Sequence, residues 1–293
     1  MRLALVLALS CSAAFTQTSL QNQIREIAAE AHGKVSVACS LADSPLNCDF
    51  NPHAHPPMQS VFKLPLVATA LYLAEQGKLS LDQPIRFLPS DRILPRTFSP
   101  LQDKYPDANV DVALQELLRL AVSLSDNVAA DVVMRAIGGP TVVNAYMRSI
   151  GVTGFNLKDN EQGLHRDVQA QYRNWFEPAG AVYFLRRISE SSPLTPEHTR
   201  MLLTWMEESP TGPHRIKGEL PLGTIVMHKT GTSGTTSGVA HATNDVGLIT
   251  LPGGRRLAIA VFVTDSKADE ATRDAVIARI AKAAYEEGLR AKK

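Results

Sequence analysis

The spacing of apolar residues changes along this chain, and that change restricts the folds open to it. Between residues 60 and 207 apolar residues recur at helical intervals outside the segments 78–111 and 151–174, whereas in 224–265 they follow the pattern of strands. Another strand-like segment, 35–41, precedes the helical stretch. Short connections favour antiparallel pairing, so we predict an α+β fold in which both ends of the chain build one sheet and the helical middle packs beside it.

The same pattern predicts the individual elements. Strands are expected at 35–41, 224–232, 245–251 and 257–265, with 47–50 returning beside the first as a hairpin. Helices are expected at 21–31, 60–77, 112–122, 128–137, 141–150, 179–189, 196–207 and 269–289. The 151–174 loop has no clear periodicity and many polar residues, which is typical of a functional or mobile segment.

Charge does not point to a polyanionic partner. Lys and Arg number 30 and Asp and Glu number 29, so no strong net field exists to attract nucleic acid or an anionic membrane. No segment after the N-terminus offers a long uncharged apolar run. A small-molecule substrate is therefore the better first hypothesis.

The first residues are typical of an export signal. Met1-Arg2 is followed by a short apolar run and then by small residues as far as Ala14. We expect cleavage between Ala14 and Gln17, which gives a leader at 1–16 and a soluble periplasmic or secreted protein. Cys11 follows the apolar run as a lipid-bearing cysteine does, but Ala8 stands where such sites usually have Leu, which disfavours lipidation. The mature chain divides into an α/β lobe (17–58 and 203–293) and an all-helical lobe (59–202).

Two cysteines remain after export. Cys39 and Cys48 flank a turn, and in an oxidising compartment they could form a disulfide if the cross-strand register matches. Two separate buried thiols fit the sequence equally well. A scaffold of several disulfides or a zinc knuckle is excluded, because no Cys-x-x-Cys and no further cysteine is present.

Three short motifs stand in a fixed order. They are Ser60-Val61-Phe62-Lys63, Ser125-Asp126-Asn127 and Lys229-Thr230-Gly231. A Ser-x-x-Lys match alone arises by chance roughly once in a chain of this length. The three together supply a nucleophile, proton carriers and a carboxylate anchor, which indicates acyl transfer on an anionic substrate.

Ser60 is the expected nucleophile. A serine hydroxyl needs a neighbouring base, and the i, i+3 spacing places Lys63 on the same helix face. Burial disfavours the charged form of an ammonium group, so Lys63 could accept the proton. The free backbone N–H groups of a helix N-terminus favour a developing oxyanion at Ser60, and the backbone of Thr232 would supply the second donor.

The other two motifs have matching roles. Ser125 can relay a proton to a leaving nitrogen, and Asn127 can bind an amide side chain of the substrate. Lys229 and Thr230 can hold a carboxylate, while Gly231 allows a ligand to approach the strand closely. Each residue also has a purely structural interpretation, since a buried Lys can simply pair with an acid and a Ser-Asp-Asn corner can simply cap a helix.

In this combination the motifs resemble those of class A serine β-lactamases over essentially the whole mature chain. The resemblance rests on the segments 57–63, 122–129, 211–213 and 228–233, and Gln59, 161–165 and 171–175 are most similar to the PER-type extended-spectrum branch. It implies a five-stranded antiparallel sheet flanked by helices on both faces, with a mostly helical second lobe. It also implies a monomer that needs no cofactor and hydrolyses β-lactams through a serine acyl-enzyme.

The resemblance also assigns residues outside the three motifs. Glu161 is in register with the base that activates the hydrolytic water, and His165 stands where most relatives have Asn, an exchange that the PER-type branch shares. Phe98 lies in a segment similar to the Tyr-Ser-Pro that walls the entrance of related sites. Many relatives hold the substrate carboxylate with an Arg that is absent at 243–244, so we transfer this role to Arg215.

Substrate breadth is indicated by the residues after the third motif. The small-residue run 231–238 should leave room for bulky cephalosporin side chains. Carbapenem-hydrolysing relatives often join the residue before the nucleophile to the position of Ser233 by a disulfide. Gln59 and Ser233 cannot do this, which disfavours a carbapenemase while leaving Ser233 a substrate-contact candidate.

Two other functions and one other mechanism compete with β-lactam hydrolysis by a serine. A D,D-peptidase shares the motifs but lacks an efficient deacylation base, and a β-lactam sensor acylates without turnover; Glu161 weighs against both. Metal-dependent β-lactam hydrolysis is suggested by His53-Ala54-His55, which could supply two metal ligands. It is disfavoured because Pro56-Pro57 follows, no Asp stands at the required spacing and no second His pair completes a site.

Overall fold

The structure is a computed structural model that describes residues 19–95 and 97–291. Its helices are α1 (Leu20–Ala29), α2 (Lys63–Glu75), α3 (Pro100–Lys104), α4 (Leu114–Ser123), α5 (Asn127–Ile137), α6 (Pro140–Ser149), α7 (Glu161–Arg166), α8 (Pro178–Glu190), α9 (Pro196–Glu207) and α10 (Glu270–Arg290). Its strands are β1 (Lys34–Leu41), β2 (Pro84–Phe87), β3 (Val110–Ala113), β4 (Phe155–Asn156), β5 (Trp175–Phe176), β6 (Val226–Thr232), β7 (Thr235–Thr236), β8 (Val239–Thr250) and β9 (Arg256–Ser266). The predicted leader lies outside the described residues.

The main sheet joins the two ends of the chain. Its order is β1-β9-β8-β6, and the short β7 pairs with β8, so five antiparallel strands are present as expected. The predicted return strand at 47–50 is wrong. In the described residues this segment meets β1 at one bridge, between Val37 and Phe50. The Asn47 side chain accepts the Asp49 backbone N–H at 2.8 Å, and this local turn replaces an extended ladder.

Alternate residues of a strand enter two different cores. In β9 one set packs with α1 and α10 and consists of Leu257, Ile259, Val261 and Val263. The other set packs with the helical middle of the chain and consists of Ala258, Ala260 and Phe262. Both faces of the sheet are therefore buried, which explains the nearly continuous apolar run of this strand. Helices on both faces confirm the predicted fold class.

The helical middle is organised around α2, whose residues from Lys63 to Leu71 are all buried. A helix that is apolar on every side belongs inside a core. The pairs β2–β3 and β4–β5 form two small sheets in this segment, which the sequence pattern did not indicate. Asp126 caps α5 by accepting the Ala129 backbone N–H at 2.8 Å, so the second motif forms the corner between α4 and α5.

The 151–174 loop is ordered by hydrogen bonds at its neck. The Asn174 side chain accepts the backbone N–H groups of Lys158 and Asp159 at 2.8 and 3.0 Å and donates to the Asp159 carbonyl at 2.7 Å. Between these ends lie α7 and a short 3-10 turn, Val168–Arg173. The loop therefore has a fixed base from which it can present side chains.

Cys39 and Cys48 form a disulfide, with their Cα atoms 5.6 Å apart. This bond ties β1 to the segment that leads toward the first motif. Among residues 19–95 and 97–291, no helix has the length and apolar character needed to cross a bilayer.

Candidate active site

The nucleophile candidate Ser60 sits in a tight turn. Gln59–Phe62 form a 3-10 turn that runs directly into α2, and Gln59 has a left-handed φ of 48°. A short hydrogen bond of 2.6 Å from Gln59 Nε2 to Gln171 Oε1 of the 151–174 loop fixes this unusual backbone. Because such conformations persist only where the surroundings hold them, the position of Ser60 is strongly determined.

Lys63 lies at the centre of the polar network and is completely buried. Its Nζ lies 2.9 Å from Ser60 Oγ, 2.9 Å from Glu161 Oε1 and 2.8 Å from the Ser125 carbonyl oxygen, and it also donates to Asn127 Oδ1. Ser60 Oγ and Glu161 Oε1 are 3.5 Å apart. One ammonium group therefore connects the hydroxyl of the nucleophile with the carboxylate of the loop.

The corner between α4 and α5 brings in the second motif. Ser125 has a left-handed φ of 62°, and its Oγ accepts a hydrogen bond from Lys229 Nζ at 2.9 Å. Its carbonyl oxygen faces Lys63, so the corner residue contacts both lysines. Asn127 Nδ2 donates to Thr97 Oγ1 at 2.6 Å, which orients the amide toward the cleft.

Strand β6 supplies the third motif by a close approach. A Cβ at Gly231 would lie 2.5 Å from the Met58 carbonyl oxygen, so only glycine lets β6 run against the segment before Ser60. Asn244 of β8 locks this contact by donating to the Pro57 and Met58 carbonyls at 2.9 and 3.2 Å. The sheet and the nucleophile turn are thus held in register.

The sheet side of the cleft is cationic. Lys229 is fully buried, and this burial, together with the charges of Lys63 and Arg215, holds its pKa well below the usual value. The nearby carboxylates of Asp245 and Glu161 act in the opposite direction. An anionic substrate group would relieve this crowding of positive charge.

Arg215 lies beside β6 and is almost completely buried. Its Nε donates to Asp274 Oδ1 at 2.8 Å, and its Nη1 donates to the carbonyls of Gly231 and Asn244 at 3.3 and 3.1 Å. It lines the same cleft as Thr230 and Ser125. The structure therefore brings Arg215 to the end of the cleft that Ser125 and Thr230 line, although part of its hydrogen-bonding capacity is already used.

Asp131 positions Glu161. Its two carboxylate oxygens accept the backbone N–H groups of Glu161 and Gln162 at 2.8 and 2.9 Å and the Asn160 side-chain amide at 2.9 Å. Burial and the charge of Glu161 raise the pKa of Asp131 to about 7. Two carboxylates therefore lie close together beneath the loop.

The cleft extends to both sides of Ser60. One part, of about 300 Å³, lies between the 151–174 loop and the sheet and is lined by Glu161, His165, Thr232 and Ser233. The other part, of about 440 Å³, reaches past Ser125, Thr230 and Arg215, and Phe98 stands at its mouth with 61% of its surface exposed. The sequence-predicted residues thus line this cleft or lie directly beneath it.

Sequence reasoning missed several supporting residues. Asp131 stands four residues after Asn127 in α5, and this i, i+4 spacing was the available signal that both share a helix face. Asp274 and the Gln59–Gln171 pair left no comparable local signal, because they come together only through the tertiary fold.

His53 and His55 do not lie in the cleft. Their ring nitrogens face the two carboxylate oxygens of Glu177 at 3.0 and 3.1 Å, and His55 stacks on Trp175 with ring centres 3.8 Å apart. In the described part of the chain no group of three or more His, Cys, Asp and Glu side chains is arranged to hold a metal ion.

Comparison with known proteins gives a consistent result. Residues 19–287 match a family model described as the beta-lactamase enzyme family. The extended-spectrum beta-lactamase PER-1 of Pseudomonas aeruginosa is 40% identical over 267 residues, which cover 91% of this chain and 86% of that protein. A beta-lactamase structure from Chitinophaga pinensis aligns with a TM-score of 0.87 and 40% identity over 92% of this chain and 99% of that chain. An ancestral class A beta-lactamase structure aligns with a TM-score of 0.83 and 30% identity over 92% and 100% of the two chains.

Proposed function

The chain belongs to the beta-lactamase enzyme family as a class A serine β-lactamase, and we propose that it opens the amide of penicillins and cephalosporins through an ester on Ser60. The observation that carries the proposal is the position of Lys63 Nζ, 2.9 Å from both Ser60 Oγ and Glu161 Oε1. A nucleophile and two proton carriers therefore meet at one point, next to the cationic side of the cleft.

Acylation uses Ser60, Lys63 and the Ser125 corner. Lys63 passes a proton to Glu161 and then takes the Ser60 proton, while Ser60 Oγ forms a bond to the lactam carbonyl carbon. The backbone N–H groups of Ser60 and Thr232 stabilise the oxyanion. The C–N bond then breaks, and Ser125 Oγ donates a proton to the leaving nitrogen. Lys63 restores the Ser125 proton with the one taken from Ser60.

Deacylation depends on Glu161. Once the proton held on Glu161 has returned to Lys63, the carboxylate can take a proton from a water molecule. The water oxygen bonds to the ester carbonyl carbon, the bond to Ser60 Oγ breaks, and the serine regains a proton. The hydrogen bonds from Glu161 and Gln162 to Asp131 support this step, because they fix the base over the ester.

Substrate binding is proposed at both ends of the cleft. Lys229, Thr230 and Arg215 attract the substrate carboxylate, with Gly231 giving close access. Asn127 and the backbone of Thr232 contact the acyl amide, with Ser233, His165 and Phe98 at the sides. The open volume beside the 151–174 loop supports turnover of oxyimino-cephalosporins, and the relative PER-1 is named an extended-spectrum enzyme.

A chromogenic cephalosporin tests this function. We expect many turnovers per molecule, and Ser60→Ala should lose essentially all of them while Ser80→Ala, at an exposed serine, keeps them. A burst of one equivalent that stalls, with the adduct visible by intact mass, would favour the D,D-peptidase or sensor function. Unchanged hydrolysis by Ser60→Ala would rule out the serine mechanism.

We further propose that the protein is exported after cleavage of residues 1–16 and acts as a periplasmic or secreted monomer, without attachment to a membrane and without nucleic acid. In this proposal the cleft lies between the lobe of 17–58 with 203–293 and the lobe of 59–202. N-terminal sequencing of the mature protein, fractionation of cells and light scattering test these points. Retention of the leader or a stable dimer would contradict them.

A further inference from the structure

A polar cluster joins the 151–174 loop to one end of the sheet, where β8 begins and β9 ends. The Tyr172 hydroxyl of the loop donates to Asp265 Oδ1 near the end of β9 and lies 2.8 Å from Nδ1 of His241 on β8. The rings of Tyr172 and His241 meet edge to face, with centres 5.9 Å apart. Lys34 of β1 completes the cluster with a 3.2 Å contact to Asp265 Oδ2. We call Tyr172, His241 and Asp265 the clasp.

The backbone and the charges of the clasp are specialised. Asp265 has a left-handed φ of 52°, a conformation that a non-glycine residue keeps only when its surroundings require it. Partial burial opposes its charge, yet hydrogen bonds from Tyr172, Lys34 and His241 hold the pKa of Asp265 below its usual value. Burial and the bond to Asp265 raise the pKa of Tyr172 to about 12. The hydroxyl therefore remains a donor to a charged acceptor, which is a strong type of hydrogen bond.

The clasp lies where the two rims of the cleft meet. On the loop side Leu164, Val168 and Gln171 line the 300 Å³ part of the cleft, and on the sheet side the 232–236 segment and His241 line it. Gln171 directly precedes Tyr172 and is bonded to Gln59 beside the nucleophile. The loop segment is thus fixed at one side to the nucleophile turn and at the other to the ends of β8 and β9.

We propose that the clasp fixes the distance between the 151–174 loop and the end of the sheet near the 232–236 segment, and so positions the cleft for substrates with a large acyl side chain. This inference rests on the proposed function and names its specificity-determining cluster. A side chain that touches both rims gains from a preset distance, because binding then requires less ordering of the loop. A substrate without that side chain gains nothing from it. The clasp residues are positioning residues, since they act through the rims.

The test compares two cephalosporins that share one nucleus. Cefotaxime carries an oxyimino acyl side chain, and 7-aminocephalosporanic acid has a free amine in its place. Tyr172→Phe removes the hydroxyl and keeps the ring. We expect kcat/KM for cefotaxime to fall about fivefold, mainly through KM, while the value for 7-aminocephalosporanic acid changes by less than about twofold.

Two further variants separate positioning from general damage. Tyr183→Phe, at a half-exposed tyrosine of α8, should leave both substrates unchanged. Asp265→Asn keeps an acceptor for Tyr172 but removes its charge, so kcat/KM for cefotaxime should fall less than in Tyr172→Phe. Turnover of both cephalosporins by the parent establishes the proposed function independently, so an unchanged substrate ratio in Tyr172→Phe overturns the clasp alone. An equal loss for both substrates also overturns it, because a merely structural role predicts that result.

Discussion

The two walls of the cleft differ in what they bury. The helical wall, formed by Ser60, Lys63, Ser125 and the loop residue Glu161, places one ammonium group between the Ser60 hydroxyl and a carboxylate, with a second carboxylate at Asp131 behind it. The sheet wall, formed by Arg215, Lys229, Thr230 and Thr232, buries two basic side chains, and the charge of Arg215 helps to lower the pKa of Lys229. Groups with exchangeable protons at hydrogen-bond distance suit proton transfer, whereas crowded cations suit the capture of an anion.

This difference separates the two stages of the reaction. Changes in the helical wall should mainly affect the chemical steps and the release of the ester, whereas changes in the sheet wall should mainly affect capture of the substrate. Kinetics can distinguish these outcomes, because losing an interaction made only in the transition state lowers kcat, whereas losing one that also holds the ground state raises KM.

The largest effect is expected at Glu161. Glu161→Gln removes the base that activates water but keeps the size of the side chain, so deacylation should slow by roughly 10²–10⁴-fold while the ester still forms. Intact mass spectrometry after mixing with a penicillin should show one covalent adduct per protein. Rapid steady turnover by Glu161→Gln would mean that another group is the base. The assignment of deacylation to the helical wall would then be wrong.

Replacing Asp131 tests whether burying its carboxylate beside Glu161 in the helical wall lowers the free energy of unfolding. Its pKa of about 7 lies above that of an unfolded aspartate, so the native state binds the extra proton and loses stability as pH rises from about 4 to about 7. Asp131→Asn does not titrate there. The free energy of unfolding of the variant minus that of the parent should therefore rise by up to about 1.4 kcal/mol per pH unit in this window and level off above it.

Urea unfolding at several pH values measures this difference. A fall of the difference with pH would mean that the three N–H donors of Asn160, Glu161 and Gln162 stabilise the carboxylate more than burial and Glu161 destabilise it. The helical wall would then be electrostatically satisfied, and the contrast with the cationic sheet wall would be sharper.

The sequence predicted the components of both walls more fully than their arrangement. Ser60 and Lys63 are three residues apart, so local helical geometry already placed them together. Lys229 contacts Ser125 across a separation of 104 residues, and no local pattern specifies that distance. The family resemblance supplied Glu161, but the carboxylate that accepts its backbone N–H belongs to Asp131 on another helix. The sheet was predicted well because both of its faces are buried, whereas the false strand at 47–50 failed because a side-chain turn at Asn47 outcompeted pairing.

On the sheet wall the largest effect is expected at Arg215. Arg215→Ala removes a buried cation near the substrate carboxylate, and kcat/KM for penicillins should fall roughly tenfold with most of the change in KM. Arg215→Lys keeps the charge but loses the forked geometry, so it should recover part of the loss. Steady-state kinetics for both variants, with thermal unfolding to monitor the unpaired Asp274, provides the measurement. A pure loss of kcat would place Arg215 among the proton-handling groups.

The smallest effect is expected from Asp245, which lies beneath the sheet wall. This fully buried carboxylate faces His228 Nδ1 at 2.9 Å, accepts the Ile216 backbone N–H at 3.2 Å, and raises the pKa of Lys229 against the larger opposing effect of burial. Asp245→Asn keeps an acceptor for Ile216 but removes the charge, so the pKa of Lys229 should fall further. Lys229 attracts an anion only below its pKa, and the decline of kcat/KM at alkaline pH should therefore begin at a lower pH in the variant than in the parent.

The pH profile of kcat/KM for Asp111→Asn, at an exposed carboxylate, should match that of the parent. If kcat/KM of Asp245→Asn instead declines at the same pH as in the parent, or at a higher pH, the charge of Lys229 does not control substrate capture. The sheet wall would then attract substrates through Arg215.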